Sequence, residues 1–307
     1  MPSPEPGRSP GADEIFDADF LGRLRTLFVR LRRRRRLQRQ GPQEAPAAGH
    51  SREFKDRRHY ASGDDVRSID WKLYGRLDRL FVRVFEEVQE FHVHVIVDRS
   101  ASMADPFPGK RIAALRLAAS LCYLGLMHQH RVSLIGLDSL CHRELPPLKG
   151  QGHIHAVVER LLAMPFAGAS DLDPALHQFR PGNGRRGVVF LISDLLGRDP
   201  QASVAALRRA AGWPGEVHVV QVLDPGEERP ALQGELRLVD SETGEERRLW
   251  LTGDGVQRYV EAFAGWREAV ERECLARRLA YRRWDASAAF EDQFVAMIEH
   301  GSSLAGA

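Results

Sequence analysis

From His92 onward the chain alternates short, almost uninterrupted apolar runs with longer segments that carry helical spacing. The runs His92–Val97, Val132–Leu137, Val188–Ser193 and Val217–Leu223 lack the every-second-residue polarity of a half-exposed strand. A strand that is apolar on both faces must be covered on both, and the intervening segments are long enough to be the covering helices. Lys110–His128, Ile154–Met164, Val256–Ala280 and Ala286–Glu299 read as helices, with Tyr281–Trp284 as a last short strand. Asp173-Pro174 and Asp199-Pro200 read as two further helix starts, aspartate at the N-cap and proline at the first helical position. The pattern predicts an α/β fold, a doubly wound, mostly parallel sheet with helices on both faces. One segment departs from it: 235–251 alternates on either side of Thr243-Gly244 and predicts an inserted β-hairpin.

In an open parallel sheet, ligands bind beyond the carboxyl ends of the strands, where the strand order reverses. Two of the predicted strands end on an aspartate. His92–Val97 runs into Asp98-Arg99-Ser100-Ala101-Ser102, and Val188–Ser193 runs into Asp194. Between them lies Gly168-Ala169-Ser170-Asp171-Leu172, a loop of small residues entering a helix. Taken singly, Asp98 could cap the following helix, and Ser170 with Asp173 could form a capping box. Taken together, Asp98, Ser100, Ser102, Ser170 and Asp194 are five hard oxygen donors converging on one sheet edge. That donor set suits Mg²⁺, which takes six oxygens and usually keeps a position for water or an outside ligand.

These residues resemble a known signature. The D-x-S-x-S run, the small-residue loop ending in a hydroxyl and the later strand-end aspartate are similar to the metal-ion-dependent adhesion site of von Willebrand factor A domains. Upstream, Tyr60-Ala61-Ser62-Gly63-Asp64-Asp65-Val66-Arg67-Ser68-Ile69-Asp70-Trp71-Lys72 resembles the Y-x-x-G-D-D-x-R-x-I-D-W-K block of the domain-of-unknown-function-58 (DUF58) family, bacterial proteins that carry such an A domain. Leu223-Asp224-Pro225 and Asp240-Ser241-Glu242-Thr243-Gly244 are similar to that family as well. The resemblance implies that Ser100 and Ser102 bind Mg²⁺ (or Mn²⁺) directly and Ser170, where the family has Thr, directly or through water. Asp98 and Asp194 would act mostly through bridging waters, leaving one position for a partner's carboxylate. Arg99 would add positive charge beside it. The implied role is a non-enzymatic adaptor working with a MoxR-type AAA+ ATPase.

Asp64, Asp65, Arg67, Asp70 and Trp71 admit two readings, an ion-pair and capping network or a partner-binding surface. The competing functional class is a metal-assisted hydrolase of phosphate or ester bonds on the same Asp/Ser site. It needs a general base or a second metal, for which Asp105 and Asp171 are the nearest candidates.

The expected organisation is a leader over 1–48, the Gly-Asp-Asp block over 49–90 and the A-type domain over 91–300. The 307 residues carry a net charge of +2 and 43% hydrophobic side chains, which excludes wholesale disorder and a polycation. The charge is unevenly placed: residues 1–62 hold 14 basic and 8 acidic side chains. Within them, Phe20, Leu21, Leu24, Leu27, Phe28 and Leu31 fall at helical steps, and Arg32, Arg33, Arg34, Arg35 and Arg36 make a basic arm. Such a helix docks by its apolar stripe or meets an acidic partner or an anionic membrane surface. Nucleic acid is disfavoured, because no aromatics interleave with the arginines.

Three cysteines without a C-x-x-C pair, no signal-peptide layout and no apolar run near 20 residues lead to the expectation of a cytoplasmic protein, with the inner face of the membrane as the arm's alternative. Other chemistry fails on context. The glycine pattern over 182–187 precedes a strand rather than following one, and Gly109-Lys110 lacks the rest of a P-loop. No G-x-S-x-G elbow is present, and Cys122 lies in an apolar helix. The H-x-H pair His92/His94 would share one strand face, but zinc needs a third ligand.

Overall fold

The computed structural model describes residues 15–17, 19–27, 52–61, 63–87, 91–181, 187–197 and 199–300. The basic arm Arg32–Arg36 lies outside the described residues. The chain divides into two compact units, the smaller spanning Arg36–Glu90 and the larger comprising the rest.

In the larger unit, six strands form one sheet: β3 (His92–Asp98), β4 (Arg131–Leu137), β5 (Cys141–Arg143), β6 (Gly187–Ser193), β7 (Glu216–Leu223) and β10 (Ala280–Asp285). Their order is β10-β7-β6-β3-β4-β5, with every neighbouring pair parallel except β4 and β5. The chain enters in the middle at β3, steps outward to β4 and β5, then returns to β6 on the other side of β3. The strand order therefore reverses between β3 and β6, and the crevice this opens lies at their carboxyl ends.

The expected fold class is the one found, and each strand shows why. On β6, Val188, Phe190 and Ile192 enter one core while Val189 and Leu191 enter the other, and every residue of the strand is buried. The first core is closed by the helices Pro108–Met127 (α2), Ile154–Leu162 (α3) and Phe290–His300 (α8). The second is closed by Leu172–Gln178 (α4), Pro200–Ala210 (α5) and Gly253–Ala276 (α7). Gly215 opens β7 at φ 101°, where a Cβ would sit 2.1 Å from the Gly187 carbonyl oxygen, so only glycine fits. The hairpin forms as expected from β8 (Gly234–Val239) and β9 (Glu246–Leu251), as a two-stranded sheet of its own.

The start of the basic leader belongs to the body. Residues 20–27 are helical, and Ile15, Phe20 and Leu24 are buried in the first core. Phe20 packs 5.9 Å from the Phe290 ring, and Arg23 bonds both Asp17 and Glu291.

Two helix boundaries differ from expectation. α4 begins at Leu172 with Asp171 at its N-cap, because Asp173 turns outward to pair with Arg209. Pro174 still fits, since first-turn N–H groups have no partner within the helix. The capping carboxylates Asp64 and Asp65 predict a single short helix over Val66–Tyr74, and the structure divides it. A 3₁₀ turn, Val66–Ser68, is followed by Ile69 in extended conformation bridging Val82, and Asp70 then caps a second helix, α1 (Trp71–Leu77).

That pair of turns lies in the smaller unit, between the antiparallel strands β1 (Arg52–His59) and β2 (Phe81–Glu87). β1 and β5 were not expected, because neither stretch carries an apolar run.

Candidate metal centre

The reversal point brings Asp98, Ser100, Ser102, Ser170 and Asp194 to one end of the sheet. Asp98 is the last residue of β3, Asp194 directly follows β6, and the loop carrying Ser170 leads into α4. Backbone bonds Ala101 N–H to Gly168 O and Ala167 N–H to Arg99 O tie that loop to the turn after β3.

Asp98 sits at the centre. One carboxylate oxygen accepts from the Ser100 N–H at 2.9 Å, and the other accepts from the Ser193 hydroxyl at 2.6 Å and the Ser170 hydroxyl at 3.3 Å. Ser100 Oγ and Ser102 Oγ lie 3.0 Å apart. Neighbouring ligands of an octahedral Mg²⁺ with bonds near 2.1 Å are themselves separated by about 3.0 Å, so the two hydroxyls match one edge of that polyhedron.

Asp194 is held differently. Its Oδ1 accepts from the Leu196 N–H at 2.9 Å, and its Oδ2 accepts from Lys110 Nζ at 2.7 Å. Leu195, between them, adopts φ 62° while buried, a left-handed conformation that costs a branched residue on the order of 1–2 kcal/mol. The turn is thereby bent back so that the Asp194 carboxylate meets its own backbone. Gln221, held by the Tyr281 hydroxyl, donates to the Asp194 carbonyl.

Lys110, which no complete sequence motif singles out, is bonded to Asp194 and Glu227 at the heart of the site. Burial works against its charge, but the carboxylates of Asp194 and Glu227 outweigh that and raise its pKa. Glu227 is placed by the Asp224-Pro225 turn through a reciprocal capping box on the short helix α6 (Pro225–Glu228). One clue to Lys110 was available: lysine occupies only four positions among 44 basic residues. A compact ammonium fits an enclosed pocket that a guanidinium fork would not.

Glu242, at the tip of the β8–β9 hairpin, also reaches this place. The Ser170 backbone N–H favours the ionised form of its carboxyl, while the Asp194 and Asp98 charges oppose it. Its Oε1 is buried with no hydrogen-bond partner. Burial pushes Glu242 up to about 7, and the Asp194 and Asp98 charges add to the effect of burial. Burial and the Asp194 charge likewise push Asp98 up to about 6. Buried carboxyls with depleted acidity and an orphaned oxygen are groups that a bound divalent cation would compensate. The donor set fits a divalent ion.

Among the described residues, no three His, Cys, Asp or Glu side chains gather as a metal cluster. His92 and His94 do share a face, with rings stacked at 3.9 Å, and His92 is bonded to the Ser133 hydroxyl.

Arg99 does not offer the free positive charge expected of it. Its guanidinium is bound to Asp138 at 2.6 Å and Glu144 at 3.2 Å, so that charge is already compensated. In the smaller unit, Asp64 pairs with Arg58, Asp65 caps the 3₁₀ turn, and the buried Asp70 caps α1 and pairs with Arg57 at 2.9 Å. Arg67 and Trp71 are exposed, Trp71 by 61%.

The strand order, with its single antiparallel edge strand, defines a von Willebrand factor A-like domain. The family model described as "Protein of unknown function DUF58" matches residues 56–266, and the chain belongs to that family. Uncharacterized proteins of Mycobacterium tuberculosis and Mycobacterium bovis are 29% identical over 264 residues, covering 84% of this chain and 82% of theirs. Among solved structures, the conserved hypothetical protein BatB from Bacteroides thetaiotaomicron is similar with 16% identity and a TM-score of 0.40, over 71% of this chain and 100% of that one. The vWF domain of the type V pili tip protein Mfa5 from Porphyromonas gingivalis is similar with 13% identity and a TM-score of 0.39, over 70% and 97%. No described helix is long and apolar enough to cross a membrane.

Proposed function

We propose that this chain is a binding module whose recognition element is a divalent cation, Mg²⁺ or Mn²⁺, held by Ser100, Ser102 and Ser170 with Asp98 behind them. The ion would supply a Lewis-acidic point that takes one acidic side chain of a protein partner. The observation that carries this reading is the convergence of three hydroxyls and Asp98 at the reversal point of the sheet, two of the hydroxyls at the spacing of an octahedral edge.

Each residue has a distinct task. Asp98 orients the hydroxyls of Ser170 and Ser193 by accepting a hydrogen bond from each, which leaves the Ser170 lone pairs for an ion. Asp194, tied to Lys110, contributes shape and outer-shell hydrogen bonding more than charge. Asp105 and Asp171, the carboxylates a hydrolase would recruit first, are exposed. The partner class implied by the family resemblance is a MoxR-type AAA+ ATPase with an accessible acidic side chain.

The test is capture of a purified MoxR-type AAA+ ATPase by the full chain in Mg²⁺ and in EDTA, with Asp98→Ala alongside. Capture by the wild type in Mg²⁺ alone is expected. Equal capture in every arm refutes the metal-dependent reading, and metal-dependent turnover of a phosphate or ester substrate replaces it with the hydrolase.

A further inference from the structure

We infer that Tyr281 and Gln221 are positioning residues of the metal centre: together they fix the peptide unit between Asp194 and Leu195, and that unit holds the Ser193 hydroxyl against Asp98. The inference rests on the proposed metal-dependent binding function and adds to its site two residues that touch no ion.

Within β7, Val217, Val219, Val220, Val222 and Leu223 are buried, and Gln221 lies among them fully enclosed. A buried primary amide is unfavourable unless its polar atoms are bonded. An apolar side chain would avoid that cost, so what the amide contributes is its two bonds. Its Oε1 accepts from the Tyr281 hydroxyl at 2.7 Å, and its Nε2 donates to the Asp194 carbonyl at 3.0 Å. The register of the sheet permits both. Gln221 stands opposite Ser193 of β6, and Tyr281 of β10 stands opposite Val219, two residues before Gln221 and on the same face.

The peptide unit between Asp194 and Leu195 is anchored on both sides. Its carbonyl takes the Gln221 amide, and its N–H donates to Ser193 Oγ at 2.9 Å. Ser193 Oγ in turn donates a hydrogen bond of 2.6 Å to Asp98 Oδ2, the oxygen that also accepts from Ser170. A continuous path through this peptide unit thus runs from Tyr281, half-buried on the edge strand, to the carboxylate that orients a proposed metal-binding hydroxyl.

The anchoring matters because the unit is strained. Leu195 holds φ 62° while buried, and a branched residue keeps that conformation only where its surroundings enforce it. Without the Gln221 bond the peptide plane is free to turn over, which relaxes Leu195 and takes its N–H away from Ser193. The Ser193 hydroxyl then loses the contact that aims it at Asp98. Asp194 loses the turn that brings the Leu196 N–H to its carboxylate. One displaced peptide unit disturbs both strand-end acids.

The experiment uses the full chain with Mn²⁺ as probe, and free Mn²⁺ is followed by its paramagnetic resonance signal. The wild type is compared with Asp98→Ala, Tyr281→Phe, Gln221→Met and the double variant of the last two, with amide exchange read at Leu195. Gln221→Met is expected to weaken Mn²⁺ binding about tenfold, as for other residues that orient metal ligands from behind. Tyr281→Phe removes one hydrogen bond further out and should weaken it about threefold. Because the tyrosine acts through the glutamine, the double variant should bind no more weakly than Gln221→Met. Exchange at Leu195 should quicken in these three variants beyond any change in global stability measured in urea. If Mn²⁺ binds the wild type in an Asp98-dependent way but both single variants bind it equally well, the positioning role is refuted and the adhesion-site reading stands. Weaker binding with unchanged exchange at Leu195, or losses that multiply in the double variant, refutes it too. If the wild type binds no Mn²⁺, the adhesion-site reading fails and this inference fails with it.

Discussion

Lys110 Nζ lies 2.7 Å from Asp194 Oδ2, and both side chains are completely enclosed. The protein thus supplies its own cation to one of the two strand-end acids and leaves the other, Asp98, with hydrogen bonds from hydroxyls and one N–H. The two aspartates, equivalent in the sequence pattern, are unequal in the fold.

Removing one partner of a buried ion pair leaves the other charge uncompensated, at a cost of about 3–5 kcal/mol. Lys110→Met is therefore expected to destabilise the larger unit by that amount in urea unfolding. Adding Asp194→Asn should return part of the loss, because contacting sites couple non-additively. Strictly additive losses would show that the ion pair contributes nothing specific.

Asp98 gives a pH signature. Burial, then the Asp194 charge, push it from 3.8 up to about 6, so the folded state holds this proton more tightly than the unfolded state does. An acid raised in this way withdraws stability as pH climbs from about 4 to 6, and the loss is complete above that window. In EDTA, Asp98→Asn should gain in Tm on the wild type across this range. Mg²⁺ should restore the wild type at pH 7 and leave the variant unmoved. A constant Tm difference from pH 4 to 7 would contradict the environment described for Asp98.

Ser170 stands where the resembled pattern has threonine. Ser170→Thr keeps the hydroxyl and should keep Mn²⁺ binding. Ser170→Ala removes the oxygen and its bond to Asp98, and should lose about tenfold in affinity and about 1 kcal/mol in stability. Loss of binding in the threonine variant would mean the pocket, in which Ser170 is 5% exposed, has no room for a methyl group.

How much of this was legible in the sequence follows from distance along the chain. Asp98 and Asp194 could be found because each ends an apolar run, and Ser100, Ser102 and Ser170 follow locally. Lys110 could not be assigned, since its partners are 84 and 117 residues away and only folding joins them. Glu242 was visible only as part of a hairpin turn, because no local pattern says which way a tip will lean. β1 escaped because a charged stretch, REFKDRRH, becomes a strand only by pairing with β2.

The leader also behaves as structure. Phe20 is 1% exposed and packs between Phe16 and Phe290. Phe20→Ala is expected to cost about 3–5 kcal/mol, as for other fully buried aromatics. Membrane or partner binding by the arginines should therefore be tested by replacing Arg32–Arg36 with glutamine in the full chain. Deleting residues 1–40 would remove Ile15, Phe20 and Leu24 from the core and confound any loss of binding.

In the smaller unit, Asp70 and Trp71 are adjacent in sequence and opposite in consequence. Asp70 is 8% exposed, accepts from the Leu73 N–H and pairs with Arg57, so Asp70→Ala loses a cap and an ion pair at once. The expected cost is about 1–2 kcal/mol, read as faster hydrogen exchange through α1 and its neighbours. Trp71 is 61% exposed and touches Tyr74 edge to face. Trp71→Ala should change stability by no more than about 0.5 kcal/mol, as for other exposed positions. A large exposed aromatic contributing so little to the fold is the residue of this block best placed to meet a partner. Weaker capture of the AAA+ ATPase by Trp71→Ala, at unchanged stability, would assign it to binding. Unchanged capture would leave the Gly-Asp-Asp block as a network that holds two short turns in place.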